Sequence, residues 1–450
     1  MDNNNQFEKK RTGLETGMAE KNSTNIKTEV IAGITTFLAT MYIIVVNPGI
    51  LSDSGMSFSG VLTATVLVCT FSSIMMGIYA KNPIVLAPGM GLNAFFTYSV
   101  VIGMGVKWET ALGAVFWSGI VFILLSVFNI RTLIVKAIPK QIRYAVAAGI
   151  GLFITLIGFI NAKFIIANPA TILGFGDINA VTLTFITGLL VTSILVVKRL
   201  KGALMFGIII TTILAIPIGR LWGDATALFN TPMLVTWKGL FDAPDFSLLL
   251  RLDFVNSLKL AMWPVIFSFL FTDMFDSLST FIGIAEAADL TDEQGEPRNI
   301  KQSLIVDSIS TTISGLFGSS PGTSYIESAA GIKEGGRSGT TAVVAGLLFL
   351  PFMFFSPILS VIPSIATAPA LVLVGVFMMK PVIKINWTQF DDAIPAFLAL
   401  ILIPLTYSIT QGIVWGFLSW TVIKLSVGKF DEIPPMLLVI DVFAIAALFL

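Results

Sequence analysis

Apolar stretches close to the ~20 residues needed to cross a bilayer recur along this chain from end to end. They lie near 28–47, 60–79, 83–98, 109–128, 142–161, 180–197, 203–220, 255–285, 300–317, 321–333, 339–359, 365–383, 392–408 and 411–427. With 55% apolar and only 12% charged residues, the chain lies far from the composition of a soluble globular domain. The expected fold class is an all-α polytopic membrane protein with 14 transmembrane segments. The third and tenth stretches are too short for ordinary spanning helices. A last apolar stretch, Met436 to Leu450, carries Asp441 and reads as a C-terminal interfacial helix.

Lys and Arg concentrate in the cytoplasmic loops of membrane proteins. Threading the 14 segments from an inside N-terminus places 21 of the 27 basic residues inside. Lys107, Lys163, Arg220, Lys238, Arg251 and Lys259 are left outside. The expected location is the cell membrane, multi-pass, with both termini cytoplasmic. The polar tail from Met1 to Lys27 lacks a small-residue cleavage site and is not a signal peptide. Net charge is zero and no basic patch stands apart from the membrane-facing loops, so nucleic acid is not an expected partner. Cys69 is the single cysteine, which leaves no intrachain disulfide and no Cys-based metal site. Histidine is absent altogether, so His catalysis, His-ligated metal and a His proton relay are excluded. Proton traffic has to use carboxylates, and no cofactor is expected.

Two segments interrupt the apolar pattern, Pro88-Gly-Met-Gly-Leu-Asn93 and Pro321-Gly-Thr-Ser324-Tyr-Ile-Glu327. Irregular backbone at membrane depth survives only where it is buried in protein or lines a cavity. Paired short, Gly/Pro-interrupted segments in corresponding places of two halves point to a transporter's substrate site between inverted repeats. Seven segments per half is an odd number, so the second half must run through the membrane in the opposite sense, a 7+7 inverted repeat. Trp222, Phe229, Trp237 and Phe241 suit the intervening linker to the outer interface, and the acidic stretch Glu286–Asn299 reads as a plain solvated connector.

The eighth stretch contains Asp273 and Asp276, three residues apart on one helical face, with Thr280 a turn further along. A charged side chain at the bilayer centre costs on the order of 2.5–3.5 kcal/mol on insertion scales, so such acids are paired, protonated or facing a wet cavity. Glu327 on the second broken segment and Asn93 on the first occupy corresponding places. A carboxylate accepts while an amide both donates and accepts, which suits a ligand with both kinds of group. Pairing of Glu327 with Lys333 or Arg337 is the competing structural reading. Asp307 reads equally as a relay group or a structural hydrogen-bond partner. Phe95, Phe96 and Phe317 border the broken segments and are candidates for stacking on a planar ligand.

Four ordered motifs carry a resemblance. Thr35-Thr-Phe-Leu-Ala-Thr-Met-Tyr-Ile-Ile-Val-Val-Asn47-Pro, Ala87-Pro-Gly-Met-Gly-Leu-Asn93-Ala-Phe-Phe, Asp273-Met-Phe-Asp276-Ser-Leu-Ser-Thr280 and Pro321-Gly-Thr-Ser-Tyr-Ile-Glu327-Ser resemble the AzgA-type purine permeases, the adenine/guanine/hypoxanthine branch of the nucleobase–cation symporter 2 family. The resemblance implies a UraA-like fold, with two half-helices and short extended breaks. A core domain of residues 28–128 and 255–360 would move against a gate domain of 129–220 and 361–450, with a cytoplasmic tail at 1–27 and an extracellular linker at 221–254. It further implies proton-coupled uptake of a purine base, guanine or hypoxanthine ahead of adenine, and a homodimer through the gate domains. Its substrate contacts would fall on Asp273, Glu327, Asn93, Phe95, Thr280 and Ser324, and its proton coupling on Asp273, Asp276 and Glu327. One departure is the run Ser277-Leu-Ser279-Thr280, where the family more often has Asp-Thr-x-Gly-Thr. The alternative is an anion exchanger of the same fold, which three acids in one pocket would disfavour. An aspartyl protease needs its acids on separate helices, and Asp273 and Asp276 share one, so the chain is not expected to be an enzyme.

Overall fold

The computed structural model describes residues 25–128, 138–223, 225–288, 290–291 and 297–449. Most of the expected N-terminal tail, Arg131 and Lys136, and the middle of the acidic connector lie outside the described residues. The helices are α1 (Ile26–Ser52), α2 (Phe58–Ala80), α3 (Met90–Gly103), α4 (Trp108–Val127), α5 (Lys140–Asn161), α6 (Ala180–Val197) and α7 (Ala203–Ala215). There follow α8 (Leu260–Glu286), α9 (Ile300–Phe317), α10 (Ala329–Lys333), α11 (Gly339–Phe354), α12 (Ser364–Met378), α13 (Phe390–Thr406), α14 (Ile409–Ser426) and α15 (Pro435–Phe449). Seven of them are long and apolar enough to cross a membrane: α1, α2, α4, α5, α6, α8 and the helix that begins at Ser364.

Helix starts carry side-chain caps. Ser57, Asn179, Ser338 and Ser408 each accept hydrogen bonds from backbone N–H groups of the first turn that have no partner within the helix. Helix α7 stops at Ala215, five residues before the end expected from hydropathy; Ile216 still has helical backbone, but Pro217 has no N–H with which to continue the ladder of hydrogen bonds. Helix α1 is interrupted at Met41–Tyr42, where one helical piece ends at Thr40 and the next begins at Ile43. Between α5 and α6 the chain forms an antiparallel hairpin, β2 (Ile165–Asn168) with β3 (Ile172–Phe175), which hydropathy did not anticipate.

The feature that positions the site is a two-stranded pairing in the protein interior. Strand β1 (Leu86–Pro88) runs antiparallel to β4 (Gly322–Ser324), with Leu86 opposite Ser324, Ala87 opposite Thr323 and Pro88 opposite Gly322. The pairing extends outward through Gly89 N–H to the Pro321 carbonyl at 2.9 Å and Tyr325 N–H to the Val85 carbonyl at 3.0 Å. The Ser328 hydroxyl accepts from Val85 N–H at 3.0 Å, and the Ser73 hydroxyl from Leu86 N–H at 3.1 Å. Each broken segment thus supplies the hydrogen bonds the other lacks, which is what makes irregular backbone tolerable away from water.

Around this crossing, α4 packs on α9 and α8, α11 on α1 and α2, and α13 on α5 and α14, while α12 packs on α5, α6 and α7. Small residues permit the close approaches. A Cβ on Gly77 would stand 2.4 Å from the Gly339 carbonyl oxygen, and one on Gly315 would stand 2.8 Å from the Leu112 carbonyl. The C-terminal helix α15 packs on α14 and α8, burying Leu437 and Ile440, and Thr421 donates to its Asp441 at 2.5 Å.

Candidate substrate site at the crossing

Helix α8 places Asp273, Asp276, Ser277 and Thr280 against the crossed strands. Ser277 is the joint: its hydroxyl lies 2.7 Å from that of Thr323 and 3.0 Å from that of Ser324, and it accepts from Ser324 N–H at 3.3 Å. The departure from the family motif at this position therefore has a visible role, tying α8 to β4. Asp273 is fully buried, and its Oδ2 accepts from the Thr311 hydroxyl of α9. Asp307, one turn before Thr311 on the same helix, is also fully buried and near enough to Asp273 for their charges to interact. Thr280 is buried one turn beyond Asp276.

Glu327 sits in the turn Ile326–Ser328 after β4, half-buried, with the Tyr42 hydroxyl donating to its Oε1 at 2.8 Å. The reading that paired it with Lys333 or Arg337 is not realised. The Arg337 guanidinium donates instead to the Ile332 and Gly336 carbonyls at 2.6 and 2.8 Å, and among the described residues Glu327 forms no ion pair. Asp276 is half-buried and near enough to Glu327 for their charges to interact. On the first broken segment Asn93 is fully buried, its Oδ1 accepting from the Ser320 hydroxyl just before Pro321. Phe95 is buried edge-on against Phe269 of α8 at 4.9 Å. Phe317 is not brought to the crossing, since it packs on Phe71, itself exposed.

The crossing thus collects Asp273, Asp276, Glu327, Asn93, Ser324 and Phe95, with Asp307 behind them. Tyr42, Thr311 and Ser320 belong to the same network and were not singled out by sequence reasoning. The run of hydroxyls Ser303, Ser308, Ser310, Thr311, Thr312 and Ser314 in an otherwise apolar helix was the available signal, because polar groups at membrane depth concentrate on the protein interior. Tyr42 left no local signal. Chemically, the arrangement offers several carboxylate acceptors, one amide and hydroxyls, and among the described residues no Lys or Arg forms an ion pair with its acids. That suits a neutral ligand bearing N–H donors and repels an anion. Among the described residues, three carboxylates converge closely enough to hold a metal only at Asp391, Asp392 and Glu432, and the Lys424 ammonium already lies 2.6–2.7 Å from each.

Buried polar residues on interrupted helices within an apolar bundle define a membrane transport protein. Residues 27–415 match the sequence family described as the Permease family, and the chain belongs to it. It is 40% identical to the adenine permease AdeP of Escherichia coli over 93% of this chain and 92% of that one. It is 39% identical to the guanine/hypoxanthine permease PbuO of Bacillus subtilis over 96% of this chain and 99% of that one. The resemblance carried by the four motifs is borne out, and the protein is a permease rather than an enzyme. Among solved structures, the transmembrane domain of the cyanobacterial bicarbonate transporter BicA superposes with a TM-score of 0.63, covering 88% of this chain and 98% of that one at 14% identity. At that identity the likeness is one of fold alone.

Proposed function

We propose that this permease imports a purine nucleobase, with guanine and hypoxanthine the first candidates and adenine the next, by proton symport with elevator-like alternating access. The observation that carries the reading is the antiparallel pairing of Leu86–Pro88 with Gly322–Ser324, which brings Asn93, Ser324 and Glu327 to the face of α8 that bears Asp273 and Asp276. The adenine and guanine/hypoxanthine permeases to which the chain is 39–40% identical support the substrate class. Glu327, Asp273 and Asn93 form the polar contacts with the base, Ser324 and Thr280 add hydroxyls and Phe95 an apolar wall. Asp273, Asp276 and Glu327 handle the coupled proton, as the absence of histidine requires.

The same reading has 14 segments in a 7+7 inverted repeat, both termini cytoplasmic, and a homodimer. Its moving core comprises α1–α4 with α8–α11, and its gate comprises α5–α7 with α12–α14. The most extensive packings, α5 with α12, α4 with α9, α13 with α14 and α11 with α1, each fall within one of those two sets. An anion cargo is disfavoured by the uncompensated acids at the crossing.

Uptake of labelled hypoxanthine by cells expressing the protein tests this. The expectation is accumulation abolished by a protonophore, competed by excess guanine and unaffected by sulfate. Uptake that persists with the protonophore but collapses when choline replaces sodium would refute proton coupling. Competition by sulfate alone would refute the substrate class.

A further inference from the structure

Tyr42 stands at the one break in α1, between a helical piece that ends at Thr40 and another that begins at Ile43. Its side chain is 1% exposed, so its hydroxyl needs a partner inside the protein. The hydroxyl reaches across the fold to Glu327 Oε1 at 2.8 Å, a residue 285 positions away. Tyr325, two residues before Glu327, donates its own hydroxyl to the Pro88 carbonyl at 2.6 Å, which ties the chain leading into Glu327 to the first broken segment.

The consequence lies in the geometry of a glutamate. Its terminal torsion joins an sp3 to an sp2 carbon, with broad preferences, so the plane of the carboxylate is set by its partners. A donor fixed in the core orients that plane and occupies Oε1, leaving Oε2 of a half-buried carboxylate for whatever enters the site.

We propose that Tyr42 is a positioning residue for purine recognition, orienting the Glu327 carboxylate so that its second oxygen accepts from an N–H of the base. This rests on the reading that Glu327 holds the substrate. Tyr42 touches the carboxylate and not the base, so it acts on affinity through Glu327 while contributing little to the movement of the loaded carrier.

The test uses Tyr42→Phe, which keeps the buried ring and removes only the hydroxyl, alongside Glu327→Gln. Hypoxanthine binding to the purified proteins, initial uptake rates and thermal melting are measured. Losing a hydrogen bond to a charged group should raise both Kd and KM of Tyr42→Phe about tenfold. Vmax should stay within about twofold, since the interaction lost concerns binding. Melting temperature should stay within a few degrees of wild type, roughly what loss of one hydrogen bond produces. Wild-type Kd in Tyr42→Phe, or unchanged KM with a fall in Vmax or melting temperature, would overturn the proposal and leave Tyr42 a structural pin between α1 and the crossing. Wild-type Kd in Glu327→Gln defeats the underlying assignment of Glu327, whereas weakened binding in Glu327→Gln with wild-type binding in Tyr42→Phe defeats the Tyr42 proposal alone.

Discussion

Asp273, Asp276 and Glu327 are chemically alike but differently housed, and their substitutions should differ accordingly. Asp273 is fully buried and held by Thr311, whereas Asp276 and Glu327 are half-buried. Glu327→Gln and Asp273→Asn keep size but remove charge and proton exchange, so each should abolish purine accumulation. A buried carboxylate–donor bond contributes roughly 1.5–3 kcal/mol, so purine affinity should fall on the order of tenfold or more in either variant. Asp276→Asn should be milder, with accumulation reduced rather than lost. Uptake together with binding to purified, expression-checked variants measures all three, and near-normal accumulation by Glu327→Gln would show that the second broken segment does not hold the base. Asn93→Ala should weaken binding and change the preference among purines, because it leaves the Ser320 hydroxyl and a ligand group without their partner, at roughly 1–3 kcal/mol. A competition series with adenine, guanine and hypoxanthine reads that change.

At the level of elements, the crossing depends on how closely β4 approaches α9. A Cβ on Gly322 would stand 2.3 Å from the Ser310 Oγ of α9 and 2.8 Å from a Val68 methyl of α2, so even a methyl group must displace those side chains or the strand itself. Gly322→Ala should therefore cost about 1–3 kcal/mol by overpacking and impair purine binding as well. A melting temperature and binding affinity both equal to wild type would contradict this. The connection before α8 gives a separate prediction. Burial pushes the Asp245 carboxyl up, but hydrogen bonds from Ser59, Ser247 and Ser57 outweigh it and hold its pKa at about 2. A group depressed in the folded state stabilises that state above its unfolded pKa of ~3.9 and ceases to do so as pH falls through about 2. Asp245→Asn should accordingly lower the melting temperature at pH 6, above this window, while the gap to wild type narrows as the pH is taken to about 2.5, well inside it.

At the scale of the whole molecule, Lys424 links the start of α13, the end of α14 and the segment leading to α15. Its side chain is 1% exposed, and its ammonium lies 2.7 Å from both Asp391 and Asp392 and 2.6 Å from Glu432. Lys429 joins the cluster at 2.6 Å from Asp391. Removing one partner from a buried ion pair typically costs ~3–5 kcal/mol, because the remaining charges are left uncompensated. Lys424→Met should lower the melting temperature and the yield of purified protein by that mechanism, toward the lower end because the carboxylates are 11–46% exposed. A purine affinity close to wild type in the surviving folded fraction is expected, since none of the cluster reaches the crossing.

Much of this was legible before any coordinates, and the reason is the bilayer. A solvent without hydrogen bonds forces nearly every segment into a helix of set length and penalises each Pro-Gly break and each acid, so the exceptions stand out in one dimension. The helices, the two broken segments and the candidates Asn93, Asp273, Asp276 and Glu327 could all be read that way. The early stop of α7 is a local effect of Pro217, and the β2–β3 hairpin left no mark in hydropathy. Only the tertiary structure decided that the two broken segments pair with each other, strand against strand, across more than two hundred residues of chain. Only it could give Glu327 to Tyr42 rather than to the nearby Lys333 or Arg337, and gather three carboxylates around Lys424. Those choices belong to partners far apart in sequence, set by packing geometry rather than by the transfer free energy of any single residue, and no local pattern encodes them.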